Sequence, residues 1–585
     1  MRPTIAPGLM ATVVEQAPAR LVRKLDEAPR VAEGWAWRLD GAVWTIATDR
    51  DERVTLKSAA LSTLTEVGCS CLLSPKCLHL LAVLSVLEIT EAQSGSPEAS
   101  DPVEAETAAS SAVELTAAQR SAAERLYKVA AEALSAGVDA LGAVRQAELL
   151  RAVHTCRAEG LHRAASAGVR VVRGARDLHA GHAAFRLVEL VDDLHDLVST
   201  SAALRAPAAS AALVGTARRV YAPVSGLRLY GLFCEPIVAT SGHAGAVTWL
   251  CDATGALHRV GSVRPGPPTQ AATAYRRTVD FGGVTLPHRT LCREGLFVQS
   301  ATRSTDGRLG GGREASAAPG GPSTWDEAPL SHLWERPLPA QLDAAFQALS
   351  QPEEERTPGA DLLFVTATVL GADTALRVAL GGLEVACIAP SDHPDLCYRD
   401  ALRRLAGAPD LSVRAIVRLV PDAPLPTVEL LAFGPTDERL RPPAEWAGRV
   451  NAGLDVLQGA HLQAGPPVAF DPPAAPPDPT EALRRRLGQL ALGGRAALPA
   501  AATAELAREA LRLEKRMMPT GAALLRALAV AAHRTPRDLS GARAAFEPTE
   551  LAGAFADAVQ WERAAARHLR RAAWTVADVR EPHGT

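Results

Sequence analysis

Between Trp35 and Leu56 apolar and polar positions alternate with a period of two. Trp35, Trp37 and Leu39 share one side of a predicted strand, Asp40-Gly41 supplies a hairpin turn, and Val43 to Ala47 returns. Arg53-Val54-Thr55-Leu56 predicts a third strand. Gly68-Cys69-Ser70-Cys71 and a short loop to Ser74-Pro75-Lys76 follow. The apolar run from Cys77 to Ile89 then reads as a helix, with Ser74 as its cap and Pro75 in its first turn. From about Thr116 to Arg205 the period lengthens. Ala117 to Leu134, Ala140 to Glu159 and Gly181 to Val198 carry apolar residues every three or four positions, the pattern of a small antiparallel bundle.

Alternation returns at Leu227-Arg228-Leu229-Tyr230-Gly231-Leu232-Phe233 and at Val247 to Cys251, and Asp252-Ala253-Thr254-Gly255 turns into Leu257 to Val263. Short strands of this kind, continuing to about Gln299, predict a compact β barrel or sandwich. Leu362 to Leu370, Ala375 to Leu380, Leu383 to Ala389 and Ser412 to Val420 form a second strand set, with a helix over 397–406. This second set reads as a diverged relative of the first, although no sequence register proves a repeat.

The resulting fold class is multidomain α+β. It runs from a small ββα unit (1–92) through a flexible linker (93–114), a helical bundle (115–205) and a β-rich domain (206–305). A Gly-rich loop (306–325), a second α/β unit (326–465), a Pro-rich linker (466–479) and a C-terminal helical domain (480–585) complete the chain.

Composition narrows the function classes. At 585 residues and 47 % hydrophobic, the chain is not disordered wholesale, and a net charge of −3 gives no global basic field to attract nucleic acid. Charge is uneven, however: residues 480–585 hold 17 Lys/Arg against 11 Asp/Glu, which makes this segment the expected face for an acidic partner. The most apolar run, Leu78 to Ile89, is too short to span a bilayer, and no signal-peptide pattern opens the chain. Nine cysteines are too sparse for a disulfide scaffold, so a reducing cytoplasmic setting is expected.

Three of those nine fall together. Cys69-x-Cys71-x5-Cys77-x-His79 supplies three thiolates and an imidazole, a set that suits a closed tetrahedral zinc site with no position left for water. A Cys-x-Cys knuckle after a hairpin can aim both sulfurs one way, and the second pair sits at a helix start, where the dipole favours the Cys77 thiolate. One structural Zn2+ is the expected cofactor.

These residues carry a resemblance. The Cys-x-Cys, the short loop, and a Cys-x-His running into an apolar helix resemble a SWIM zinc finger over residues 30–90, and the hairpin with Trp35, Trp37 and Trp44 suits that family's β-β-α layout. The resemblance implies Cys69, Cys71, Cys77 and His79 as ligands, and DNA binding or protein interaction rather than catalysis. It also implies membership of a bacterial multiprotein system, with an ATPase or helicase among the partners. Residues 1–90 hold ten Lys/Arg and ten Asp/Glu, a neutral balance that favours a protein partner over nucleic acid.

Other constellations carry less. Asp177, His179, His182, Glu189, Asp192, Asp193, His195 and Asp196 crowd one helical region and read as a solvated acidic face. Gly307-Arg308-Leu309-Gly310-Gly311-Gly312-Arg313 lacks the Gly-Lys-Ser/Thr ending of a phosphate loop. No nucleophile elbow, metalloprotease helix, dinucleotide fingerprint or kinase signature is present, and the chain has only five lysines. The expectation is a non-enzymatic zinc-binding adaptor or scaffold. The alternatives are a DNA- or RNA-binding accessory factor and an enzyme with an unrecognised site in the β-rich middle.

Overall fold

The computed structural model describes the chain apart from residues 1, 19, 22–23, 26–27, 29, 50–51, 90–111, 184, 217–220, 240–241, 312–314, 352–355, 472–473, 500–502, 534–545 and 576–585. Most of the linker expected over 93–114, and Gly312 and Arg313 of the Gly-rich loop, therefore lie outside the described residues. The chain forms two compact units. Of the described residues, the first takes those up to 216 and 479–565; the second takes 221–478 and those from 566.

In the first unit, helix α1 (Pro7–Gln16) precedes a four-stranded antiparallel sheet of β1 (Ala36–Asp40), β2 (Val43–Ala47), β3 (Arg53–Leu56) and β4 (Val67–Cys69), in that order. Alternation does what it predicts here. Ile46, Val54, Leu56 and Val67 point inward, onto helix α2 (Leu78–Ser85), whose Leu80 to Leu84 are all buried. The start of α2 corrects one expectation: Cys77, not Ser74, is the N-cap, because its Sγ accepts the Leu80 N–H at 3.4 Å. The Ser74 hydroxyl is turned back to the sheet, accepting the Cys69 N–H at 3.3 Å.

The bundle comprises α3 (Ala117–Ala136), α4 (Ala143–Ala158), α5 (His162–His179) and α6 (Leu187–Ala203). Gly181, at φ 59°, belongs to the turn after α5, so the helix read from it begins only at Leu187. The ββα segment is not a separate bead: Leu9, Met10, Val13 and Val14 of α1 join its core to the bundle's in one continuous apolar cluster.

The second unit holds two six-stranded sheets. In the first, β5 (Tyr221–Val238), β6 (His243–Asp252) and β7 (Leu257–Pro265) make successive antiparallel hairpins. Helices α7 (Gln270–Arg276) and α8 (His288–Glu294) follow. Strand β8 (Gly295–Ser304) then pairs with the other edge of β5, and β9 (Leu309–Gly310) with β8. A parallel bridge between Arg259 and Arg308 joins the two outer strands.

The second sheet repeats the plan. Strands β10 (Leu362–Ala372), β11 (Leu376–Leu380) and β12 (Leu383–Ile388) form hairpins, helix α9 (Tyr398–Ala406) crosses, and β13 (Ser412–Leu419) returns to β10. Strand β14 (Thr427–Pro435) then pairs with β13 and, in parallel, with β12. Numbered within each barrel, the circular order is 1-2-3-5-4-1, with two helices between strands three and four of the first and one in the second, a strand order shared with OB-type barrels. Two copies of one topology thus occupy the β-rich middle. Leu229, Leu250, Val260, Leu296 and Val298 fill the first barrel, and Leu363, Val365, Val378, Val413 and Val428 are among the residues filling the second.

The C-terminal helices of the first unit are α10 (Glu481–Gly493), α11 (Thr503–Lys515), α12 (Pro519–His533) and α13 (Pro548–Ala573, through Ala565). Leu483, Leu487, Leu490, Leu525 and Phe555 extend the bundle core.

Candidate metal centre

The centre is assembled from a strand end and a helix start. Val54 pairs with Cys69, and the Ser70 N–H donates to the Arg53 carbonyl at 2.9 Å, so the sheet ladder holds the Cys69–Cys71 knuckle. The Ser74 N–H donates to the Cys71 carbonyl at 3.1 Å, closing the loop. The cap geometry places Cys77, and the buried run Leu80-Leu81-Ala82-Val83-Leu84 anchors the helix that carries His79. The ligand atoms of Cys69, Cys71, Cys77 and His79 all lie within 4.8 Å of one another, and Cys69 Sγ is 3.9 Å from His79 Nδ1. Around an ion bonded to sulfur at about 2.3 Å and nitrogen at about 2.0 Å, a tetrahedral S···N edge measures about 3.5 Å. The four donors can therefore hold a metal ion, and the arrangement is compatible with a zinc finger.

Electrostatics correct the expectation of a dipole-favoured thiolate at Cys77: without a metal, burial outweighs the helix start. Burial raises the Cys69 thiol, and it pushes Cys77 up to about 12, with repulsion from the neighbouring sulfurs adding to it. Metal-free, such thiols keep their protons; a cation displaces them and removes the repulsion. Four protein donors fill a tetrahedron, leaving no site for a reacting water.

The tryptophans belong to the support. Trp35 is buried with its ring edge-on to His79 at 6.0 Å, and Trp37 donates from Nε1 to the Ala32 carbonyl at 2.8 Å. Trp37 meets Trp44 edge-on at 6.1 Å and is covered by the Arg2 guanidinium. No pair of them forms an open stacking platform.

Among the described residues, these four are the one His/Cys/Asp/Glu group close enough to hold a metal. The acidic crowd on α5 and α6 is instead an ion-pair lattice. Asp193 and Asp196 pair with Arg170, Asp196 also with Arg163 at 3.1 Å, and Asp192 with Arg563 at 2.7 Å, while His179 bonds the Asp139 carbonyl. In the Gly-rich loop, Arg308 closes a tight turn onto Ser304, and Asp306 pairs with Arg259. Of the remaining cysteines, Cys156, Cys234, Cys251, Cys292 and Cys387 are buried and Cys397 is half-buried; none is in a disulfide.

Sequence reasoning did not find a buried polar network in the second unit. Arg293 pairs with Asp455 at 2.9 Å and donates to Tyr275, while Asn451 donates to the same Tyr275 hydroxyl. Arg449, fully buried, donates to the carbonyls of Gly231, Cys292 and Ser323. Nor was the fate of the first barrel's outer face visible. Trp249 and Cys251 of β6 join Leu362, Phe364 and Leu431 in one apolar cluster, so the strand face on which OB-type barrels bind ligands is spent on packing there.

No protein-family model matches this chain, and neither the curated proteins nor the solved structures contain a match. No helix among the described residues is long and apolar enough to cross a membrane.

Proposed function

We propose that the metal is zinc, that its role is structural, and that the finger is a docking module by which the chain acts as a non-catalytic adaptor for a partner protein. Three thiolates and an imidazole are the donor set of closed zinc sites, and the motif's resemblance to SWIM fingers supports the same reading. One observation carries the docking role. Between the two ligand pairs, Leu72 is fully exposed and Leu73 is 57 % exposed, although both sit on a loop the metal would hold rigid. Adjacent exposed leucines on a pre-organised loop are the makings of an interface anchor, since little conformational entropy is lost on binding. Exposed Arg53 and Lys76 flank the centre, so the fitting partner has an apolar groove with an acidic rim.

The test is quantitative affinity purification from the native organism with wild type, a Leu72→Ser/Leu73→Ser variant and Cys77→Ser. A partner retained by wild type and lost from both variants, with the leucine variant still carrying one zinc, is the expected result. Equal recovery with the leucine variant would overturn the docking role.

A second reading rests on α11. Most arginines of the C-terminal helices are committed: Arg484 to Glu562, Arg485 and Arg486 to Glu509, Arg526 to Glu514. Arg508, Arg512, Lys515 and Arg516 are exposed and have no acidic partner among the described residues. Such a stripe favours a polyanion, and a nucleic-acid accessory role would show as binding that weakens steeply with salt. In either reading the chain is not an enzyme.

A further inference from the structure

We infer that Glu52, outside the four-residue motif, is the positioning residue of the metal centre, holding the His79 imidazole in the tautomer that binds metal through Nδ1. The inference rests on the zinc reading above. Two distances orient the ring: Nδ1 faces Cys69 Sγ at 3.9 Å, and Nε2 faces Glu52 Oε1 at 4.0 Å on the other side. An imidazole that binds an ion through Nδ1 carries its proton on Nε2, the side of the Glu52 carboxylate, which at 4.0 Å lies within ion-pair distance and about 1 Å outside hydrogen-bond reach.

The carboxylate is itself held. Thr48 donates from Oγ1 to Glu52 Oε2 at 2.7 Å, and its N–H donates to the Glu52 carbonyl at 2.9 Å. Oε1 is the carboxylate oxygen that faces the imidazole. Trp35, edge-on to the ring, blocks its rotation from a further side. A carboxylate behind a metal-bound imidazole raises the basicity of the ligating nitrogen and fixes the ring plane, and removing such a partner typically costs ~10–100-fold in metal affinity. Glu52 does not touch the ion. It acts through His79, from the segment just ahead of β3, the same strand whose register places Cys69.

The experiment is zinc competition against a chromogenic chelator using the full chain, with cobalt spectra of the same proteins and long-range proton–nitrogen correlation of His79. Wild type is expected to bind one zinc with Nε2 protonated. Glu52→Ala should bind one zinc ~10–100-fold more weakly with altered cobalt ligand-field bands. Glu52→Gln, which keeps a carbonyl acceptor, should recover part of the loss. Wild type that binds no zinc would remove the metal reading itself. Wild type that binds zinc, with Glu52→Ala within twofold of it or with the His79 proton on Nδ1, would overturn the role of Glu52 alone.

Discussion

Gly137 and Gly494 back onto each other across the first unit: a Cβ on Gly137 would lie 2.3 Å from the Leu492 carbonyl oxygen, and one on Gly494 would lie 2.3 Å from that of Ser135. Both have positive φ, 86° and 61°, which only glycine adopts without strain. The end of α3 and the end of α10 thus touch backbone to backbone, and this contact draws the C-terminal helices into the same core as the bundle. Gly494→Ala is expected to cost at least ~2 kcal/mol in denaturant unfolding of this unit. Gly160→Ala, at φ 80° but with open space around it, should cost only ~1 kcal/mol. Equal costs would refute the close approach.

Zinc content should follow the ligand set. Cys77→Ser and His79→Ala are expected to drop bound zinc from one per chain to none, measured by elemental analysis. Hydrogen exchange should quicken from Val67 to Ser85, where the sulfur cap and the knuckle disappear together. The second unit, with its own cores, should exchange as before. Full zinc occupancy in either variant would refute the assignment.

His288 predicts an acid-sensitive first barrel. It is fully buried, with Nδ1 bonded to Thr248 Oγ1 at 2.8 Å, and burial lowers its pKa to about 4. Unfolded, the same imidazole titrates near 6.5, so the unfolded chain takes up the proton first. Stability is therefore fully present above about pH 6.5 and is lost as pH falls toward 4. Between pH 7.5 and 5 the loss should be ~2 kcal/mol in urea unfolding of the second unit. His288→Gln should flatten that interval, and an unchanged slope would place the proton uptake elsewhere.

Arg449 should be a costly residue to lose. Burial lowers its pKa to about 10, yet its guanidinium donates to three carbonyls from separate segments of the second unit. Arg449→Met leaves those acceptors dry and unpaired, at an expected ~3 kcal/mol or more in unfolding of that unit, with zinc content unchanged. A variant as stable as wild type would mean the apolar side chain repacks without loss, as some buried charges permit.

Local pattern alone determined much of this protein. Period-two alternation placed the Asp40-Gly41 hairpin, Arg53 to Leu56, the first three strands of one barrel and the first four of the other, because a strand's side chains must alternate between core and water. Spacing singled out Cys69, Cys71, Cys77 and His79, four donors close in sequence that the fold brings near enough to hold a metal ion. What the sequence could not carry was pairing between distant segments. Only tertiary structure closed each strand set into a barrel of one shared order, since the closing β12–β14 and Arg259–Arg308 pairings join strands far apart in the chain. It likewise turned the acidic crowd of α6 into partners for Arg163, Arg170 and Arg563, and brought Glu52 behind His79. A charge or a carboxylate in a sequence has no partner until the chain has folded, and its meaning is set by what folding puts beside it.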